Sequence, residues 1–165
     1  MIKAGDEITW KGYPWVVLDT DCNGGVLIQM KKIWKKLPFD ENESAKWSTS
    51  TLRSTLIEKL LPKLGEENLI DHETDMCSDD GDDRYGTVTD KVFILSADEY
   101  RKYRRRKVMP LYDGWWWLCT PWYINPNTGY ASYPRHVYGD GFVYGYHAVT
   151  AGGAVPACIV KSGIL

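Results

Sequence analysis

The sequence predicts an α+β fold on three observations. Runs of β-forming residues lie near both ends, Trp15-Val16-Val17-Leu18 and Val26-Leu27-Ile28-Gln29-Met30 early and residues 154–160 late. Two stretches between them carry helix signals, one from Leu52 to Leu61 and one from Ala97 to Arg104. After the second helix, short β stretches alternate with turns rich in Tyr, Gly and Asn. This order, with strands at both ends, is that of an α+β protein whose sheet brings the chain ends together.

The first three strands form a small antiparallel sheet. Ile8 and Trp10 lead into a turn at Lys11-Gly12-Tyr13-Pro14, and Asp21-Cys22-Asn23-Gly24-Gly25 makes a second turn. Asn-Gly supplies the positive φ angles that a tight hairpin needs. Residues 31–46 read as an irregular connection. The first helix is capped by Ser48 or Ser50. Its apolar face is Leu52, Leu56, Ile57, Leu60 and Leu61, and Pro62 and Gly65 end it, with a further short turn possible over 65–70. Residues 71–90 are the most polar stretch. Asp79-Asp80-Gly81-Asp82-Asp83 lacks the alternate spacing and closing Glu of a calcium loop and reads as a solvated loop. Val92-Phe93-Ile94-Leu95 is a short apolar strand, and Ser96-Ala97-Asp98-Glu99 is a capping box that opens the second helix. Beyond Pro110 and Gly114, a hairpin tip at Gly139-Asp140-Gly141 joins Arg135-His136-Val137 to Phe142-Val143-Tyr144. A single last strand is expected over 154–160.

The 165 residues are enough for one domain with a sizeable core, 1–165, in which 1–114 is scaffold and 115–165 a display region. Eight Trp and eleven Tyr against three Phe favour cores with hydrogen-bonding corners, or binding surfaces. The net charge of −2 argues against a general nucleic-acid partner. The basic run Arg101 to Lys107 reads as a solvated helix end. Cys22, Cys77, Cys119 and Cys158 form no CxxC pair, so neither a zinc knuckle nor a disulfide scaffold is indicated, and no metal or other cofactor is expected. No signal peptide or membrane-length apolar run is visible, which points to the cytoplasm or to incorporation into a larger particle, without membrane insertion.

Five blocks of residues carry a family resemblance. They are Gly5-Asp6-Glu7-Ile8 with Trp15-Val16-Val17-Leu18; Trp47-Ser48-Thr49-Ser50-Thr51-Leu52-Arg53; Asp90-Lys91-Val92-Phe93-Ile94-Leu95-Ser96; Trp116-Trp117-Leu118-Cys119-Thr120-Pro121; and Gly153-Ala154-Val155-Pro156-Ala157. Together they resemble a bacterial and phage domain family of unassigned function. Its members look like C-type lectins of the branch that includes the formylglycine-generating enzymes, and some are variable proteins of diversity-generating retroelements. The resemblance covers nearly the whole chain. It implies a ligand-binding fold that presents exposed, variable residues between the last two blocks. The family usually has arginines where Cys119 and Val155 stand here, so any role resting on those arginines is not carried over.

Composition bears on the variable segment independently. Such a retroelement mutates adenines, chiefly in codons ending in a pyrimidine, and those codons cannot encode Trp, Lys, Glu, Gln or Met. These five types fill 33 of the 122 positions up to Trp122 and none of the 38 from Tyr123 to Val160. The earlier rate predicts about ten. The variable part is therefore placed at about 123–150. Its candidate ligand-binding residues are Tyr123, Asn125, Asn127, Tyr130, Ser132, Tyr133, Arg135, His136, Tyr138, Asp140, Phe142, Tyr144, Tyr146 and His147. Tyr with small polar residues is the composition of antibody paratopes, giving rigid contact area and adaptable hydrogen bonds. Strand alternation puts Val137 and Val143 inward and Tyr138, Phe142 and Tyr144 outward. At least two of Trp115, Trp116 and Trp117 read as core.

The expected function is non-enzymatic binding of a protein or cell-surface ligand, with self-association possible. Two alternatives remain. One is an enzyme related to the formylglycine-generating oxidases, although Cys119 and Cys158 stand in no matching pattern and read as small buried hydrophobes. The other is a fixed structural component of a phage particle. The sugar-binding triplets of calcium-dependent lectins are absent.

Overall fold

A computed structural model describes residues 1–165 and shows an α+β protein with two helices and several small sheets. β1 (Glu7–Trp10), β2 (Tyr13–Cys22) and β3 (Gly25–Met30) are joined by two tight hairpins. Both tips hold two consecutive residues at positive φ, Lys11 (52°) with Gly12 (80°) and Asn23 (51°) with Gly24 (80°). That backbone matches the twist of paired strands.

The expected irregular stretch 31–46 contains a strand, β4 (Lys35–Leu37). It escaped the sequence because two of its three residues are lysines on a sheet edge, where charge is tolerated.

Helix α1 covers 51–64, and Ser50 caps it by accepting the Arg53 N–H at 3.2 Å. Its middle turn, Leu56–Leu60, is a π turn in which the Leu61 N–H donates to Leu56 O. The wider turn re-phases the helix, so the buried face is Leu52, Leu56, Leu60 and Leu64, spaced by four. This corrects the expected face: Ile57 is exposed and Leu61 only half-buried. Pro62 does not end the helix. It lies at the start of the α turn Leu61–Leu64, after the ladder has shifted, and Gly65 (φ 82°) closes the element.

The short strand β5 (Leu69–Ile70) follows, then β6 (His72–Asp75) and β7 (Thr87–Asp90), a hairpin inside the most polar stretch of the sequence. Its loop includes the Asp-rich run, turned by bonds from Ser78 N to Asp82 O and Gly81 N to Ser78 O, both 3.0 Å. After β8 (Val92–Phe93), helix α2 (Ala97–Arg105) starts with the predicted capping box. Glu99 N–H donates to Ser96 Oγ at 3.2 Å and Ser96 N–H to Glu99 Oε1 at 3.0 Å. Within the basic run, Arg101 is tied to Asp98 and Arg106 to Asp19.

The remaining strands are β9 (Trp116–Pro121), β10 (Pro134–Val137), β11 (Val143–Gly145), β12 (Gly152–Ala154) and β13 (Ala157–Lys161). The single expected last strand is thus two. Val155 and Pro156 separate them, and they join different sheets. Pro156 has no N–H for a ladder and fixes φ, which favours the break.

One six-stranded sheet runs β1-β2-β3-β13-β5, with β8 also paired to β13, so the first and last strands of the chain share a sheet. The second sheet runs β11-β10-β9-β12-β4. One contiguous cluster of 36 buried hydrophobic residues draws on both large sheets and both helices. Beside it, buried Asp90 ties Trp47 and α1 to β7: its carboxylate accepts from Trp47 Nε1 at 2.9 Å and from Arg53 Nε at 2.8 Å. No helix is long and apolar enough to cross a membrane.

Candidate ligand-binding surface

The frame of the surface is β9. All six of its residues are buried, Trp116 and Trp117 among them, while Trp115 just before it is half-buried. Trp117 Nε1 donates to Leu37 O at 3.0 Å, which fixes β9 to β4 across the narrow β12. β10 pairs with β9 on one side and with β11 on the other, in the register His136↔Tyr144 and Val137↔Val143. The predicted hairpin closes with Tyr138 N–H donating to Phe142 O at 2.8 Å, and Asp140 Oδ1 accepts the Phe142 N–H at 3.1 Å. Phe142 (64% exposed), Tyr144 and Tyr138 face outward as alternation requires. Val137 is buried, but Val143 is only half-buried because β11 is an edge strand.

Two groups of rings build the surface. The first is centred on Trp122, with Tyr123, Tyr130 and Tyr133 at centroid distances of 5.7, 5.1 and 6.2 Å. The Arg135 guanidinium stacks 5.0 Å from the Trp122 ring and lies 3.3 Å from the Asp79 carboxylate. Burial raises the Asp79 pKa, and Arg135 opposes that rise without cancelling it. The second group is Trp115, His136, Tyr138, Tyr144 and Tyr146. His147 joins the two: its ring lies 5.9 Å from Tyr146 and 4.2 Å from Tyr133, whose hydroxyl is 2.6 Å from Nε2. Its Nδ1 reaches Glu43 at 3.2 Å.

Of the predicted residues, Asn125, Asn127, Tyr130, Tyr138, Asp140, Phe142, Tyr144, Tyr146 and His147 are exposed. Tyr123, Ser132, Tyr133 and Arg135 are half-buried. Asn125 also serves the backbone, since its side chain accepts the Asn127 N–H at 3.0 Å and caps the 3-10 turn Pro126–Thr128.

His136 is a correction: it is only 1% exposed. β10 is an inner strand, so one face meets the core and the other is covered by Trp115, Tyr138 and Tyr146. That burial, with the Arg135 charge adding to it, lowers the His136 pKa to about 4, so the imidazole is neutral at neutral pH. Sequence reasoning also left Trp115, Trp122, Glu43 and Asp79 off the candidate surface, and did not single out Thr150 within 123–150. Trp115 and Trp122 carried a signal, as aromatics close before the segment expected to vary; Glu43 and Asp79 depend on tertiary approach.

A cleft of about 260 Å³ lies among Trp115, His136, Tyr138, Tyr146 and Thr150. A second, more polar cleft of about 450 Å³ lies between the β6–β7 loop, the start of α2 and β10–β11, with Ser78, Asp79, Arg101 and Arg135 in its walls. No group of three or more His, Cys, Asp or Glu side chains is placed to hold a metal ion. Cys119 and Cys158 are fully buried, as expected of small hydrophobes, and burial pushes both thiols well above the ordinary range. No protein-family model, no curated protein and no solved structure matches this chain.

Proposed function

We propose that the protein is a non-enzymatic ligand-binding domain of the C-type-lectin-like type, in the formylglycine-generating-enzyme-like branch. Its surface is diversified by a retroelement, and its ligand is a protein or another cell-surface molecule. One observation carries this reading. The stretch without Trp, Lys, Glu, Gln or Met holds every exposed Tyr and His of the ring-linked surface. Residues 152–160 of the same stretch are core, so diversification is confined to about 123–150. The deep burial of Cys119 and Cys158 speaks against these thiols as oxidase nucleophiles.

The test lies in the DNA. The reading expects a reverse-transcriptase gene nearby and a near-copy of the 123–150 coding region that differs at adenines. Codons ending freely in purines across that region, with no repeat, would remove the diversification claim. Size measurement in solution tests the surface itself. A chain that self-associates through Tyr138, Phe142 and Tyr144, and becomes monomeric when all three are Ala, would be an assembly component instead.

A further inference from the structure

The aromatic cleft has the shape of a cage. Trp115, Tyr138 and Tyr146 stand at 64°, 88° and 89° to the His136 ring, with centroids 4.9, 4.7 and 6.1 Å from it. Three ring walls thus surround an imidazole floor, and Thr150 is the one further lining residue. At about 260 Å³ the space is smaller than the roughly 300–1,000 Å³ of sites for drug-sized ligands, so it suits a single compact group.

The charge around the cleft narrows the class of that group. No charged side chain lines it. From Tyr123 to Val160 there is no lysine and one arginine, and that Arg135 is held against Trp122 and Asp79 in the other ring group. Carboxylates elsewhere on this surface are Asp140 at the hairpin tip, where the Arg104 guanidinium also reaches Gly141, and Glu43 against His147. An aromatic box whose own lining holds no cation attracts a weakly hydrated positive charge through its ring faces. The neutral floor adds no repulsion.

We infer that this cleft receives a quaternary or trimethylated ammonium group carried on a larger ligand. The inference rests on reading the surface as ligand-binding, but not on its being diversified. Trimethylammonium occurs both on choline and on trimethylated lysine, and the test separates these sources.

Choline, N-trimethyllysine and 3,3-dimethylbutanol, the uncharged isostere of choline, are titrated into the full chain while the Trp115 indole N–H resonance is followed. Saturable shifts with choline or trimethyllysine at least about tenfold tighter than with dimethylbutanol are expected. The tighter of the two cations identifies the source. Tyr146→Leu weakens cation binding by about tenfold, whereas Tyr146→Phe, which keeps the ring, weakens it by less than about threefold. Tyr138→Leu repeats the test on another wall. Equal binding of dimethylbutanol overturns the cation assignment and leaves a binding surface of another class. No response to any probe overturns the cage, and the surface reading then stands or falls on the size and DNA measurements alone.

Discussion

Trp115 is seated on Gly152: a Cβ at position 152 would run into the six-membered part of the Trp115 ring and come within 2.8 Å of Trp117 Nε1. Gly152 does not have a positive φ, so the requirement for glycine is steric. β12 therefore sets where one wall of the aromatic cleft stands. Gly145 has the same relation to Trp122, whose ring atoms occupy the place of a side chain there. These two glycines thus position the two tryptophans around which the Tyr-rich surface is arranged.

Gly152→Ala should displace the Trp115 ring. Overpacking of this kind costs about 1–3 kcal/mol. The expected result is a lower urea midpoint at unchanged slope, together with a changed environment for the Trp115 indole in NMR spectra. A variant with wild-type stability and an unmoved Trp115 signal would contradict the relationship.

Asp90→Ala should be among the more damaging changes in the scaffold. It leaves the buried Trp47 N–H without an acceptor and Arg53 without its partner. Breaking a fully buried pair costs roughly 3–5 kcal/mol. Because the Arg53 side chain is 26% exposed, about 2–4 kcal/mol is expected, read from chemical denaturation.

Glu99 ties α2 to the β6–β7 hairpin through His72, whose Nε2 lies 2.8 Å from its carboxylate. Burial alone would raise the Glu99 pKa, but the His72 hydrogen bond and charge and the Ser96 bonds outweigh it, and the pKa is lowered from the ordinary 4.5. A lowered folded-state pKa means the contribution to stability is full above that ordinary value and is lost as pH falls through the folded one. Glu99→Gln keeps an acceptor for the Ser96 cap but loses the charge. It should reduce stability at pH 7 and flatten the loss below about pH 4.5, as measured by unfolding across a pH series.

Gln29 is 0% exposed on β3, between Val16 and Ala157, and neither atom of its amide has a hydrogen-bond partner. An unpartnered buried polar group costs about 1–3 kcal/mol. Gln29→Met has similar length and no such groups, so thermal unfolding should shift upward by the equivalent of about 1–2 kcal/mol. A drop would show that the amide is satisfied in solution.

Phe142 and Tyr144 are exposed, so replacing both by Ala should change stability by no more than about 0.5 kcal/mol each. Loss of ligand binding with the melting temperature kept is the expected signature of a display surface.

Local chemistry determined much of this protein. Asn23-Gly24 specified a hairpin, Ser96 and Glu99 specified a helix start, and Gly139-Asp140-Gly141 specified the outward face of β11, because each acts through the backbone within a few residues. Composition, read with the family resemblance, set apart the segment after Trp122, which has no Trp, Lys, Glu, Gln or Met up to Val160. Tertiary structure decided the rest. Lys35–Leu37 became a strand only because β12 lies beside it, and 154–160 split because its two halves meet different sheets. The π turn of α1 chose Leu64 over Ile57 for the core. His136 became a buried, neutral floor because Trp115 and Tyr146 close over it along with its neighbour Tyr138, and Arg135 became a partner of Trp122 and Asp79, contacts made between separate segments of the chain. Spacing along one strand carries no information about what packs across it.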